Sequence, residues 1–283
     1  YDGSDPGQAA RYEHLHALLI GLNPDILAVQ ELISSGSDGN TGDWSKRAAA
    51  EAALCELADA LGMECMAGTK PTVSISNTRH HTGLLWAPGI ELVPGSFRPY
   101  DTDAYGISHG LATAVFDVGG PRLRAGSAHF SHPDPGLSAG WKDAGVVHRA
   151  FHREDGIPGI VGGDWQGIGS NHHYDPDPYE GVDWTPDIGY HLDLYGQPDR
   201  HAAIRMERHF KFQDCAILTS TPRHSTTGHH ETDRQPPRRI DRVYVTYDFP
   251  AEAIEKFRAV GPKAVGQSSD HCPALVEVEE AKL

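Results

Sequence analysis

Apolar residues recur along this chain with two periods, and the switch between them marks most of its elements. In "QAARYEHLHALLIGL", Tyr12, Leu15, Leu18, Leu19 and Leu22 fall at helical spacing, so residues 8–22 are expected to form an amphipathic helix. Asn23-Pro24 ends it, because the residue before a proline is pushed out of the α region. "DILAVQEL" then reads as a buried strand ending near Glu31. Residues 34–44 are rich in Ser, Gly and Asp and read as a loop. "SKRAAAEAALCELADALG" reads as a second helix closed by Gly62.

Strand patterns follow in series: "MECMA", "TGLLWA", "IELVPG", "LATAVFDV" and "RLRAGSAHF", the last four spaced like hairpin-connected antiparallel strands. A third helix is expected over "SAGWKDAGVVHRAFHRE", and a strand over "IPGIVGGDW". An acidic loop spans 169–199, with a short helix near 200–209, the run "FQDCAIL" and a loop over 219–238 behind it. Two strands, "RRIDRVYVT" and "CPALVEV", close the chain. Helices alternate with strands early and strands dominate later, which points to an α/β architecture with sheets packed face to face and helices outside. No composition break divides the chain, so residues 1–283 are expected to form a single domain.

Composition narrows the function. The 283 residues are 39% hydrophobic and 22% charged, an ordinary globular balance, but the net charge of −15 disfavours binding nucleic acid through bulk charge. Cys55, Cys65, Cys215 and Cys272 show no C-x-x-C spacing, so neither a zinc knuckle nor a disulfide framework is indicated. No apolar run approaches the roughly 18 residues of a membrane span, and no signal peptide is expected. Reduced thiols and a cytoplasmic location are the expectation.

Polar residues then gather where the apolar runs stop. "ILAVQE" ends at Glu31, "RAGSAHF" near His129, and "GIVGGDWQ" at Asp164 and Gln166; "RRIDRV" carries Asp241, and Asp270-His271 precede the final strand. Any one of these is more often a turn residue or a helix cap. As a set they offer carboxylates for a hard divalent cation such as Mg²⁺ and imidazoles for phosphate binding and proton transfer near neutral pH. These are the components of metal-assisted phosphoryl hydrolysis.

The ordered set "VQE", "AHF", "GGDWQ", "RIDRV" and "SSDH" resembles the endonuclease/exonuclease/phosphatase superfamily, with its deoxyribonuclease-I-like fold, from about Asp25 to Val278. The resemblance implies a four-layer α/β sandwich, two mixed β-sheets packed face to face with helices outside. It implies Mg²⁺ (or Mn²⁺) held by Glu31 and Asp270, with Asp164 as a base or metal ligand. It further implies His271 at the scissile phosphate, Asp241 orienting it, and His129 contacting phosphate. Gln166 stands where the family motif has Asn; the extra methylene moves the amide by about 1 Å, a shift that matters for positioning. The family's first strand, which ends in an Asn at the metal site, is expected to have no counterpart here, since the first element is the helix before "QE"; either it lies upstream in the natural protein or it is lost.

The implied activity is that of a metal-dependent, nuclease-like phosphodiester hydrolase using in-line water attack. Alternatives are a phosphomonoesterase, a sphingomyelinase-like phosphodiesterase, or a non-hydrolytic binding protein of the same fold. Between 220 and 242, Arg223, Arg234, Arg238, Arg239 and Arg242 outnumber Glu231, Asp233 and Asp241, so Arg238 and Arg239 are candidates for gripping a substrate phosphate. The acidic loop would repel a long polyanion, while its Tyr174, Tyr179, Trp184 and Tyr190 could cover a small substrate. The expected partner is therefore a short nucleic acid or a small phosphodiester, with no membrane span. Of the eighteen histidines, His148 and His152 sit at i, i+4 as zinc ligands can, though a solvated pair is the simpler reading.

Overall fold

A computed structural model describes residues 6–33, 45–78, 80–132 and 139–283. The expected loop over 34–44 lies outside the described residues. Helices form at Pro6–Leu22, Ser45–Leu61 and Ala139–Phe151, close to where periodicity places them. The strands in chain order are β1 (Ile26–Ile33), β2 (Met66–Ala67), β3 (Lys70–Pro71), β4 (Val73–Ser74), β5 (His80–Trp86), β6 (Glu91–Leu92) and β7 (Arg98–Tyr100). They continue with β8 (Leu111–Asp117), β9 (Arg122–His129), β10 (Gly159–Asp164), β11 (Gln213–Asp214), β12 (Asp241–Val245), β13 (Ile254–Ala259) and β14 (Ala274–Val278).

The larger sheet has the order β11-β12-β10-β9-β8-β6, with β7 also paired to β8. It is mixed: β10 runs parallel to β9 and antiparallel to β12. A parallel neighbour needs a crossover, and the helix Ala139–Phe151 lies within that connection. A second sheet has the order β1-β5-β4, and β13 pairs with β14. Leu84 and Leu85 show how the pieces stack. Consecutive strand residues face opposite sides. Leu84 packs with Ala112, Phe116 and Ala125 of the larger sheet. Leu85 packs with Leu54 and Ala58 of the helix Ser45–Leu61. On the far face of the larger sheet, Val147 and Phe151 of the helix Ala139–Phe151 pack with Val161 and Tyr244.

Four local features depart from that pattern or go beyond it. "TGLLWA" is not a hairpin partner of the next strands; β5 pairs with β1 and β4 in the other sheet. A continuous apolar run shows that a strand is buried on both faces but carries nothing about its partner. "MECMA" forms a strand only at Met66–Ala67. "FQDCAIL" is a two-residue strand followed by a helical turn, Cys215–Leu218, because the Asp214 side chain caps that turn at the Ala216 N–H. β13, "IEKFRA", was not expected: its Glu, Lys and Arg hide a strand whose buried positions are Ile254 and Phe257.

Among the described residues β1 is an end strand of its sheet, and β14 pairs only with β13. Both line a cavity of ≈ 1050 Å³, together with Tyr12, Leu15, Leu19 and Leu22, the apolar stripe of the first helix. No described strand pairs with the outer edge of β1, whose residues 26–31 remain partly exposed. No described helix is long and apolar enough to cross a membrane.

Candidate active site

Sheet register brings the expected residues together. Asp164 is the cross-strand partner of His129 on one side and of Asp241 on the other. Residues directly opposite one another share a sheet face, so these three form one row at one end of the sheet. Gly163 makes the approach possible: a Cβ there would collide with the Ala128 backbone carbonyl.

Asp164 is buried, and both of its oxygens are held by Gln166. The Gln166 backbone N–H donates to Oδ1 at 2.9 Å and its side-chain Nε2 to Oδ2 at 2.6 Å. The same Nε2 stands 3.3 Å from His129 Nε2. Gln166 adopts a left-handed backbone conformation, φ +54°, and Glu31 does too, at φ +56°. Such conformations cost energy in non-glycine residues and gather at functional sites. At Glu31 the cause is visible: the β1–β5 register shifts between Val29 and Leu32, a bulge that re-aims the side chain. Ser127 secures that bulge, accepting from Gln30 Nε2 at 2.8 Å and donating to the Val29 carbonyl at 2.7 Å.

His271 faces Asp164 from the segment before β14. Its Nδ1 lies 3.0 Å from both Asp241 oxygens, and its Nε2 is 4.0 Å from Asp164 Oδ2. Ligand atoms of Asp164, Asp241 and His271 all fall within 4.8 Å of one another. Glu31 and Asp270 border the same cavity, outside that tight group. Glu31 Oε1 instead lies 3.7 Å from His80 Nδ1.

Burial drives the Asp164 carboxyl up to about 7, with the charges of Asp241 and Glu31 adding to it and His271 opposing. For His271 burial works against the charged form, but the charge and hydrogen bond of Asp241, then the charges of Asp164 and Asp270, outweigh it and raise the imidazole well above its ordinary value. His129 moves the other way: burial, then the neighbouring His109 and His80, keep it neutral.

Several contributors gave no sequence signal. Thr226 Oγ1 accepts from the Asp241 N–H at 3.1 Å, and the Thr226 carbonyl accepts from the Cys272 N–H at 2.7 Å. One buried residue in an unremarkable loop thus holds both halves of the Asp241–His271 pair. His80 and His109 join His129 in a stack, with ring centroids 6.1 and 4.4 Å from it. The adjacency "RHH" is legible, but the stack depends on the fold.

Two candidates fall elsewhere. Arg239 is fully buried and bonded to Asp175 and Asp214, each at 2.6 Å. Arg238 is buried against Asp233 at 3.0 Å. The basic lip expected from these two is folded inward, because loop 169–199 supplies Asp175 as a partner and neutralising it inside is cheaper than leaving it unpaired. His148 and His152 stack on each other at 5.0 Å and join no metal-ligating group among the described residues.

Gln166→Leu is expected to strip Asp164 of its side-chain donor and to cost about 1–3 kcal/mol, the usual penalty for an unsatisfied buried polar group. Urea denaturation of the two proteins checks this.

No protein-family model and no curated protein sequence matches this chain. Solved structures do. The chain is similar to a mannosyl-6-phosphatase of Bacteroides thetaiotaomicron VPI-5482, with TM-score 0.61 and 13% identity over 98% of this chain and 95% of that one. It is similar to an endonuclease/exonuclease/phosphatase family protein of Leptotrichia buccalis C-1013-b, at TM-score 0.60 and 11% identity over 98% and 96%. Truncated TDP2 of Caenorhabditis elegans matches at TM-score 0.56 and 15% identity over 96% and 92%. The chain therefore has the endonuclease/exonuclease/phosphatase fold, as the ordered strand-end residues implied.

Proposed function

We propose that this protein is a divalent-metal-dependent phosphoester hydrolase acting on a small or short substrate by in-line attack of water. The observation that carries this reading is His271, fixed by Asp241 through Nδ1 and presenting Nε2 to a buried carboxyl, Asp164, whose affinity for a proton matches neutral pH.

The donor chemistry suits a hard cation. Four carboxylates, Glu31, Asp164, Asp241 and Asp270, border one cavity, and Mg²⁺ or Mn²⁺ takes oxygen ligands. Asp164 is committed to Gln166 and Asp241 to His271, which leaves Glu31 and Asp270 as the residues to hold the metal. When bound, such an ion polarises the phosphoryl oxygens.

The protein's own groups supply the proton handling. Asp164 Oδ2, 4.0 Å from His271 Nε2, can hold the attacking water beside the phosphate that Nε2 faces. Asp164 takes the water's proton as the new P–O bond forms. Imidazolium His271 donates a hydrogen bond to a phosphoryl oxygen, the opposite ester P–O bond breaks, and the leaving oxygen takes a proton from solvent. Neutral His129 and the Gln166 amide supply further polar contacts beside Asp164.

Phosphomonoester hydrolysis is the second reading, and the inward folding of Arg238 and Arg239 favours it over tracking a nucleic-acid strand. The name of the mannosyl-6-phosphatase neighbour agrees with a monoester, though its likeness is one of fold. Salt dependence separates the cases. A duplex tracker loses affinity with a log–log slope of about −0.9 per neutralised phosphate. Turnover of a small ester here is expected to change little between low and moderate salt, while duplex DNA is cut poorly. Efficient duplex cleavage with a steep slope contradicts the small-substrate reading.

Asp164 also predicts a pH response. Its folded value of about 7 lies above the roughly 3.9 of an unfolded aspartate, so between those limits the folded state binds more protons. Stability of the metal-free protein is therefore greatest below about pH 4 as far as this group is concerned, and falls as pH rises through about 7. Raised His271 acts in the same direction, its contribution being lost as pH rises through its folded value. Urea midpoints at pH 5 and pH 8 in EDTA are expected to fall further in the wild type than in Asp164→Asn.

A further inference from the structure

A second cavity, of ≈ 560 Å³, opens beside the site and is lined by His132, Asp187, Tyr190, His191, Thr232, Asp233, Arg234 and Gln235. Its size lies within the usual range for small-ligand pockets. It adjoins the catalytic row: the His191 ring bonds the Gln166 backbone, and the His132 ring sits 5.9 Å from that of His191.

The wall chemistry is selective. Among the described residues no aliphatic side chain lines the cavity, so these walls offer an acyl chain no apolar surface. Two carboxylates, two imidazoles, a guanidinium, a hydroxyl and an amide line it instead. Hydroxyl groups, which both donate and accept, fit such a mixture on every side. One side carries an aromatic ring, Tyr190, 60% exposed, with exposed Trp184 close by, its indole packed over Gly189. Exposed rings backed by fixed backbone offer a flat apolar platform with little ordering cost. Its lining sets two carboxylates, Asp187 and Asp233, against one guanidinium, Arg234, so no excess of positive charge draws a second phosphate.

Resting on the phosphoester-hydrolase reading above, we propose that this cavity seats the uncharged, hydroxyl-rich body of the substrate, which makes the substrate class a phosphorylated sugar or polyol. The phosphate enters the Asp164–His271 cluster while hydroxyls engage Asp187, Thr232 and Gln235 and the ring's C–H face lies on Tyr190. Binding energy from this remote body positions the ester for reaction.

Two measurements on the Mn²⁺-loaded protein separate this inference from the hydrolase reading. The first is a binding titration by tryptophan fluorescence with glucose 6-phosphate and, separately, adenosine 5′-monophosphate. Saturable binding of the hexose phosphate, at least about tenfold tighter than the nucleotide and weakened about tenfold by Tyr190→Ala and by Asp187→Ala, is the expected result. Equal or tighter nucleotide binding, or hexose phosphate binding that both variants leave unchanged, overturns the inference whether or not hydrolysis occurs. The second is p-nitrophenyl phosphate turnover, which lacks the hydroxylated body. It is expected to be unchanged in both variants; a loss equal to that for glucose 6-phosphate means the residues act on the site as a whole and overturns the subsite. Absence of turnover on both esters in the wild type counts against the hydrolase reading alone, and the titration still decides the subsite.

Discussion

His271→Ala is expected to lower phosphoester turnover by about 10²–10⁴-fold, the range for removing a positioned acid–base group, while the protein stays folded. The side chain lies at the cavity rather than in a core cluster, and its bonds run to Asp241. Its loss removes the imidazolium that faces Asp164 and frees Asp241 without opening a packing void. The companion variant Asp241→Asn keeps the shape but gives up the charge that raises His271. It is expected to move the pH at which activity falls downward, since His271 then loses its proton sooner. Steady-state rates across pH for both variants, beside circular dichroism for folding, check the pair. A His271→Ala protein with near-normal kcat removes this residue from the mechanism.

The largest stability effect is expected at Arg239. Fully buried and joined to Asp175 and Asp214, it is the hub that holds loop 169–199 to β11. Its charged form is held well above the ordinary range despite burial, because two carboxylates answer it. Arg239→Met leaves both without their shared partner. Breaking a buried pair from one side costs about 3–5 kcal/mol, against a total stability of about 5–15 kcal/mol for a domain. Arg223 reaches Asp175 at 3.3 Å and offsets part of the loss on that side only. Urea denaturation is the measurement; a change below about 1 kcal/mol would show that the hub is solvated in solution.

These two sites show what was legible in the sequence. His271 and Asp241 could be found because each adjoins an apolar run, and strand ends converge when strands share a sheet. Asp164, His129 and Asp241 follow the same logic, and register carries them into one row. Arg239 could not be read that way. Its charge count suggested a surface, whereas its fate depended on Asp175, 64 positions away in sequence, and only tertiary packing decides which charges meet. Thr226 was invisible for a similar reason: it works through a hydroxyl and a carbonyl that any loop residue of its kind possesses. Gln166 was visible as a departure from Asn, but not its use. The longer side chain reaches Asp164 Oδ2 while its own backbone turns left-handed. The partnership of β5 with β1 went unread because burial on both faces erases the alternation that reports a strand's neighbours.

The Asp164–Asp241–His271 cluster is proposed to hydrolyse a phosphoester with a divalent cation. The most direct test of this is release of p-nitrophenol from p-nitrophenyl phosphate and bis(p-nitrophenyl) phosphate by the purified protein, first with Mg²⁺ or Mn²⁺, then with excess EDTA, and in parallel with His271→Ala. The expected result is turnover of at least one ester that EDTA abolishes and that His271→Ala reduces by at least about 10²-fold. No metal-dependent release from either ester, or release that persists undiminished in His271→Ala, would contradict it.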